Sequence, residues 1–264
     1  MKTLLYLFLG LIQGVTEPLP ISSSGHLVIL KNIFNIDILK DLNFEIIVNF
    51  GSLIAIVLVY RKEIKKLLVN SFIHLKTKSA ATKKDFRYVL LVILATIPAG
   101  TLGYIIKENS EELLTTPFIV GAALLFTALF LFSIKNIKGT KTDHKITVGD
   151  ALRIGFFQAV ALIPGISRSA STLTGALLSD LERKTAIKFS FMLYIPISIA
   201  SFILGVTDIN DLGSSWGYYL IGLLAATVAT YFTTKWFINI VQKGKLGYFA
   251  IYCLILGIIT ILFI

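Results

Sequence analysis

Eight long apolar stretches dominate this 264-residue chain, and two of them are interrupted in the middle by residues that end helices. Six are continuous, at about 42–60, 87–106, 116–135, 187–206, 216–235 and 246–264, each near the roughly 20 residues that a helix needs to cross a bilayer core. The other two, about 3–34 and 148–181, break at Glu17-Pro18-Leu19-Pro20-Ile21-Ser22-Ser23-Ser24-Gly25-His26 and at Pro164-Gly165-Ile166-Ser167-Arg168-Ser169. Each flanking piece is about 14–16 residues, or about 21–24 Å of helix, too short for a core of about 30 Å. The broken stretches are therefore predicted to be helix–loop–helix hairpins that enter and leave on one side. Irregular backbone is tolerated at that depth only when protein or a wet cavity surrounds it.

Composition excludes the main alternatives. Charged residues are 15% of the chain and apolar ones 55%, against about 25% charged for a soluble domain. The net charge of +10 would suit nucleic acid only as a basic stripe on a soluble face, whereas here the charges fill the gaps between apolar runs. The single cysteine, Cys253, rules out a disulfide framework or a cysteine-built metal site. Lys2 ahead of Leu4–Leu11 resembles a signal peptide, but Gln13 and Glu17 interrupt it and no small-x-small site follows, so the segment is expected to be retained.

Charge also orients the chain. With 61–87 inside and each hairpin counted as no crossing, nineteen Lys/Arg fall on the cytoplasmic side, from Arg61 through Lys245. Four (Lys2, Lys31, Lys40 and Lys107) fall outside, with Glu108, Glu111, Glu112, Asp208 and Asp211 beside them. That asymmetry obeys the positive-inside rule and puts both chain ends outside. His74 and His144 fall in the basic loops and are expected to be solvated, and Trp216, Tyr218 and Tyr219 are expected to form an outer interface belt. The predicted architecture is one all-α integral membrane domain over 1–264, with six transmembrane helices and two re-entrant hairpins.

A shift of 145 residues superimposes the broken stretches: Gly10 on Gly155, Gln13 on Gln158, Val15 on Val160, Ile21 on Ile166, Ser22 on Ser167 and Ser24 on Ser169. The same offset carries Phe44 onto Phe189 and Ile54-Ala55 onto Ile199-Ala200. Three crossings separate the copies, so the second (about 148–264) is inverted relative to the first (about 3–135), and the hairpin tips are expected to meet near the midplane.

After each break a half-helix starts, near Ser23 and near Ser167, with its free N–H groups and positive dipole end aimed into the site. Two such ends make an anion pocket. Arg168 adds a forked cation suited to phosphate oxygens, and Ser22, Ser23, Ser24, Ser167 and Ser169 are caps or hydroxyl donors. Glu17 lies beside the first tip and His26 one helical turn past Ser22. Charged and titratable groups at bilayer depth are costly and mark function. Together they offer a nucleophile (Ser or His), an acid/base (Glu17 or His26) and an electrostatic clamp, the requirements of phosphate-ester or anhydride cleavage. Each also has a plainer role: Arg168 could only staple to Glu17, the serines could only cap backbone, and Gln13, Gln158, Glu45 and Asn49 could only pack between helices.

Gln13-Gly-Val-Thr-Glu17-Pro-Leu-Pro20-Ile-Ser22-Ser23-Ser-Gly25-His26 resembles the N-terminal motif of bacterial undecaprenyl-diphosphate phosphatases of the bacitracin-resistance type. Pro164-Gly-Ile-Ser167-Arg168-Ser169-Ala-Ser-Thr172 is similar to that family's second motif, Pro-Gly-x-Ser-Arg-Ser-x-x-Thr. The resemblance implies removal of one phosphate from undecaprenyl diphosphate, returning undecaprenyl phosphate to peptidoglycan synthesis and conferring bacitracin resistance. It implies a bacterial cytoplasmic membrane location, a site open to the outer face, and a divalent cation, Mg or Ca, at Glu17. By resemblance Ser23 is the nucleophile, with His26 activating it, protonating the leaving group or attacking directly. Arg168 clamps the diphosphate, Glu17 binds metal or moves a proton with Gln13 beside it, and Ser22, Ser167, Ser169 and Thr172 position phosphate oxygens. Three positions depart from the family pattern: Gln13 is the permitted alternative to Glu, Asn49 stands where Gln is frequent, and Pro18 where an aromatic is frequent.

The partner implied is a polyprenyl diphosphate lipid, with no nucleic acid; the sequence is compatible with a homodimer. The rival reading, an inverted-repeat secondary transporter or lipid flippase, fits the architecture but leaves the Ser–His–Glu–Arg grouping unused.

Overall fold

The computed structural model describes residues 2–39, 43–107, 116–206 and 215–264. Among the described residues there are ten α-helices: α1 (Lys2–Thr16), α2 (Ser23–Phe34), α3 (Asn43–Thr77), α4 (Lys83–Lys107), α5 (Pro117–Ile134), α6 (Val148–Val160), α7 (Arg168–Leu178), α8 (Arg183–Val206), α9 (Trp216–Gln242) and α10 (Gly247–Phe263). The one β feature among them is an isolated bridge between Lys141 and Leu181. Five helices, α3, α4, α5, α8 and α9, are long and apolar enough to cross a membrane. The sixth expected span, α10, is a shorter apolar helix of 17 residues. Large apolar side chains such as Phe126, Leu129, Phe232, Leu262 and Phe263 are exposed, which suits a multi-pass membrane protein whose solvent is lipid.

Both broken stretches fold as short helix–loop–helix units. Pro18 and Pro20 cannot donate backbone hydrogen bonds, so α1 stops before them, and Ser22 restarts the chain by accepting from the Gly25 N–H at 3.2 Å. Pro164 and Gly165 separate α6 from α7, which Ser167 caps by accepting from the Ala170 N–H at 3.3 Å. The four half-helices have 15, 12, 13 and 11 residues. At 1.5 Å per residue all are shorter than a bilayer core.

The packing is crossed between the halves. α1 lies along α9 and α4 along α6, while α5 pairs with α10 and α3 with α8. Small residues permit two close helix–helix approaches: a Cβ on Gly10 would overlap the carbonyl of Gly222, and one on Gly155 that of Ala95. Thr127 of α5 donates its hydroxyl to the Gly165 carbonyl at 3.1 Å, and Cys253 of α10 donates its thiol to the Pro20 carbonyl at 3.7 Å. Each hairpin loop is thus tied to the last helix of one half. A large apolar cluster including Ile56, Leu131, Ile154, Leu173, Phe189 and Phe237 fills the centre, and a second, around Tyr6, Leu9, Phe44 and Val48, sits beside α1.

Three expectations change. The basic segment 61–87 is largely helical, because α3 runs on to Thr77 and α4 begins at Lys83; Lys, Arg and Glu are good helix formers, so loss of hydropathy ends the apolar span and not the helix. His74 is buried, with Nδ1 2.9 Å from the Ser79 carbonyl oxygen and its ring stacked on Phe86. Trp216 is exposed as a belt residue would be, but Tyr218 and Tyr219 pack on Tyr6 with ring centroids at 5.5 and 5.1 Å, because that face of α9 meets α1. Lys40, Glu108, Glu111, Glu112, Asp208 and Asp211, used in the charge argument, lie outside the described residues.

The close approaches predict an asymmetry among glycines. Gly155→Ala should destabilise the protein by about 1–3 kcal/mol through overpacking against α4. Gly100→Ala, with open space around its Cβ position, should be neutral or stabilising by up to about 1 kcal/mol. Thermal unfolding of the detergent-solubilised variants checks both, and equal effects would remove the packing argument.

Candidate active site

The two hairpin tips meet. Arg168, the first residue of α7, donates from Nη2 to Glu17 Oε1, and its Nη1 donates to Ser198 Oγ at 3.1 Å. The guanidinium lies 3.9 Å from the centroid of the Tyr194 ring, a cation–π contact. On the other carboxylate oxygen, Glu17 Oε2 accepts from Ser23 Oγ and, at 2.9 Å, from Gln13 Nε2. Gln13 Nε2 also donates to Asn49 Oδ1 at 2.6 Å. The carboxylate therefore holds an Arg, a Ser and a Gln, with its side chain 4% exposed against 28% for Arg168.

The local sequence explains why these atoms converge. Gln13 and Glu17 are one turn apart at the end of α1, and the Glu17 N–H still bonds the Gln13 carbonyl at 2.9 Å. Ser22 adopts φ +66°, an uncommon conformation for a residue with a Cβ, and this turns the chain so that Ser23 opens α2 facing back toward Glu17. At the second tip Gly165 has φ +97°, and a Cβ there would run into Ala123 and the Val120 carbonyl. Only glycine suits both demands.

A cavity of about 280 Å³ adjoins the cluster, lined by Glu17, Ser22, Ser23, Ser24, Ser167, Arg168 and Ser169 together with Glu45, Asn49 and Gln158. The starts of α2 and α7 both border it, which brings the positive ends of two half-helices beside the same space. A negatively charged group held there would find Arg168 and the Ser23 hydroxyl together.

The expected site residues divide into three sets. Glu17, Ser23, Arg168 and Gln13 form one connected cluster. Several hydroxyls do scaffold work: Ser22 and Ser167 cap α2 and α7, Thr172 donates to the Arg168 carbonyl at 2.9 Å, and Ser169 donates to the Pro18 carbonyl at 3.1 Å, joining the tips a second time. His26 stands apart. Its Nδ1 is 2.7 Å from the Ser22 carbonyl oxygen and its Nε2 2.7 Å from the Tyr252 hydroxyl, so it bonds neither Ser23 nor Glu17.

Residues 6–259 match the profile of a protein family described as bacitracin resistance protein BacA. The chain belongs to that family. Among its relatives are undecaprenyl-diphosphatase 1 of Bacillus licheniformis, 45% identical over 98% of this chain and 97% of the relative, and undecaprenyl-diphosphatase of Oceanobacillus iheyensis, 42% identical over 98% and 96%.

For this BacA-family chain the donors available to a divalent cation are few. Among the described residues no group of three or more His, Cys, Asp or Glu could hold a metal. Glu17 and Glu45 are the carboxylates lining the cavity, and the buried Gln13 Oε1 has no hydrogen-bond partner. One or two carboxylates suit Mg when substrate phosphates complete its shell, so these residues fit a cation that arrives with a diphosphate.

Sequence reading missed Tyr194, Ser198 and Tyr252. Tyr194 had a signal, since the 145-residue offset places it on Asn49, and both flank the Glu17 cluster from the third helix of their half. Ser198 follows one turn later. Tyr252 had no local signal, because 226 residues separate it from His26.

Arg168 tests the geometry. Arg168→Ala should lower turnover by about 10²-fold or more, the scale for losing a transition-state donor, and should also destabilise the fold by leaving Glu17 unpaired. Arg168→Lys keeps a charge for Glu17 but cannot also reach Ser198 and stack on Tyr194 as a planar fork does, so rescue should be poor. Phosphate-release assays beside thermal unfolding separate the two effects, and full rescue by Lys would show that charge alone suffices.

Proposed function

We propose that this chain hydrolyses undecaprenyl diphosphate to undecaprenyl phosphate and inorganic phosphate, with Ser23 as nucleophile, Glu17 as its base and Arg168 as the phosphate clamp. The observation that carries this reading is the hydrogen bond from Ser23 Oγ to Glu17 Oε2, with Arg168 on the same carboxylate and the cavity beside them. A packing serine or a structural ion pair would not need that arrangement at the mouth of a polar cavity. The curated relatives named as undecaprenyl-diphosphatases, similar across nearly the full length, support the same activity.

The chemistry follows from the contacts. Ser23 Oγ attacks the terminal phosphorus as its proton passes to Glu17 Oε2. The P–O bond to the bridging oxygen breaks, and undecaprenyl phosphate leaves with the bridging oxygen. Glu17 gives that proton up to the departing bridging oxygen. Water then attacks the phosphoserine as its own proton passes to Glu17, the P–Oγ bond breaks, Glu17 returns the proton to Ser23 Oγ, and inorganic phosphate departs. Arg168 and the N–H groups at the starts of α2 and α7 stabilise the charge gathering on the phosphoryl oxygens. Glu17 and Glu45 would hold Mg or Ca brought in with the diphosphate, and the cation would offset the charge of the two phosphates.

The membrane arrangement belongs to the same reading: α3, α4, α5, α8, α9 and α10 span, the half-helix pairs re-enter, and the halves form an inverted repeat in a bacterial cytoplasmic membrane. Its support is the crossed packing. Gly10 meets α9 as Gly155, 145 residues on, meets α4, and the Pro20 carbonyl is held by α10 as that of Gly165, at the same offset, is held by α5. In this reading the cavity opens toward the outer face, where the lipid diphosphate is presented for recycling into peptidoglycan synthesis. Glu17, Ser23 and Arg168 come from one chain, so a homodimer would not be needed to complete the site. A transporter would share this architecture but would have no use for a serine poised on a carboxylate.

Phosphate release from undecaprenyl diphosphate by purified protein with Mg tests the proposal. Wild type should turn over and Ser23→Ala should fall by at least about 10³-fold, as expected for loss of a covalent nucleophile. Acid-quenched wild type should carry phosphate on Ser23. Unimpaired release by Ser23→Ala would move the nucleophile elsewhere, and no release by folded wild type would return the transporter reading.

A further inference from the structure

The structure leaves a histidine next to the site and engaged away from it, and the groups that hold it point to a positioning device. The Ser22 carbonyl oxygen can only accept, so His26 Nδ1 carries a proton and donates to it at 2.7 Å. A neutral ring protonated at Nδ1 has its lone pair on Nε2, and there the Tyr252 hydroxyl, 2.7 Å away, donates. The two rings are parallel to within 2°, with centroids 5.7 Å apart. Both ring nitrogens are thus occupied, and neither faces Ser23.

The bond on Nδ1 falls at a sensitive place. Ser22 is the residue with φ +66° and ψ 95°, a conformation that persists only when its surroundings hold it. Its hydroxyl accepts from the Gly25 N–H at 3.2 Å, and its carbonyl accepts from the His26 N–H at 3.2 Å as well as from Nδ1. Ser23 follows directly, and the twist at Ser22 aims its hydroxyl at Glu17. The imidazole therefore clamps the strained peptide that points the serine, and Tyr252, reaching in from α10, fixes which ring nitrogen does the clamping.

We propose that Tyr252 and His26 form a positioning pair: Tyr252 locks His26 as the Nδ1-protonated tautomer, and His26, through the Ser22 carbonyl, holds Ser23 in line with Glu17. His26 then acts through backbone and not as base or nucleophile. This rests on the reading of Ser23 as nucleophile. Asn at position 26 can mimic the Nδ1–H, because a short amide on this helix reaches the carbonyl four residues back: Asn32 Nδ2 donates to the Val28 carbonyl at 2.8 Å in α2 itself. Gln instead places its amide near the position of Nε2.

Two measurements on the full-length protein in nanodiscs test the pair, one independent of turnover. Nitrogen-15 NMR of the His26 ring, assigned by its disappearance in His26→Asn, should show protonation at Nδ1 in the wild type and a mixture of tautomers in Tyr252→Phe. A ring protonated at Nε2, or one unchanged by Tyr252→Phe, overturns the pair whether or not the phosphatase reading stands. In phosphate-release assays, Tyr252→Phe should lower kcat by about 3–10-fold, the scale of one net hydrogen bond, with KM little changed. His26→Asn should stay within about tenfold of wild type, with His26→Gln and His26→Ala at least about tenfold below it. His26→Asn as inactive as His26→Ala would assign His26 to the chemistry and overturn the proposal. Absence of release by the wild type would instead defeat the phosphatase reading, and the NMR result would still decide the Tyr252–His26 contact.

Discussion

A carboxylate and a guanidinium that begin 151 residues apart in sequence join the two hairpin tips, and most of the site is organised by that junction. Burying either ion alone would cost several kcal/mol, and removing one partner of such a pair typically costs about 3–5 kcal/mol. The pair survives because each ion has further partners: Ser198 and Tyr194 for Arg168, Ser23 and Gln13 for Glu17. The contact that secures the tips also leaves the carboxylate touching a serine hydroxyl beside a cavity. In the proposed mechanism structural and chemical demands thus fall on the same atoms, with Arg168 as both staple and clamp.

The second constraint is the treatment of backbone ends at the two breaks. Four short helices start or end there, and their unpaired N–H and C=O groups need partners. The serines and threonines answer much of that need. Ser22 and Ser167 cap, Ser169 bridges to the Pro18 carbonyl, and Thr127 accepts from the Ser167 N–H at 3.0 Å while donating to the Gly165 carbonyl. Ser23 differs from these, its hydroxyl going to the Glu17 carboxylate and not to backbone. A serine-rich motif at a break is therefore mostly a way of keeping a broken helix satisfied, and in the proposed mechanism Ser23 is the member set aside for chemistry.

The 145-residue offset makes the division of labour visible. Ser23 and Arg168 fall on equivalent positions, as do Asn49 and Tyr194, and Gln13 and Gln158. One half supplies hydroxyl and carboxylate, the other supplies the cation and the ring beneath it. The Gln pair has also diverged in surroundings: Gln13 bonds Glu17 and Asn49, while the buried amide of Gln158 has no hydrogen-bond partner among the described residues. The offset brings two half-helix starts to one cavity, and unlike side chains at equivalent positions make the junction chemically unsymmetrical.

Family resemblance proposed Ser23, His26, Glu17 and Arg168 as the catalytic group, and the sequence alone determined the membrane character, the two breaks and the offset between them. These are local facts: apolar run length, proline and glycine placement, and charges standing where charges are costly. It misjudged the reach of α3, because hydropathy reports where lipid ends and not where a helix ends, and it left His74 in solvent where tertiary packing buries it. Only the tertiary structure decided which partner each polar atom takes. His26 sits three residues from Ser23 in sequence, yet Tyr252 and the Ser22 carbonyl claim both its nitrogens, because an imidazole bonds whatever the fold brings within 3 Å, and sequence spacing fixes that distance only along a single helix.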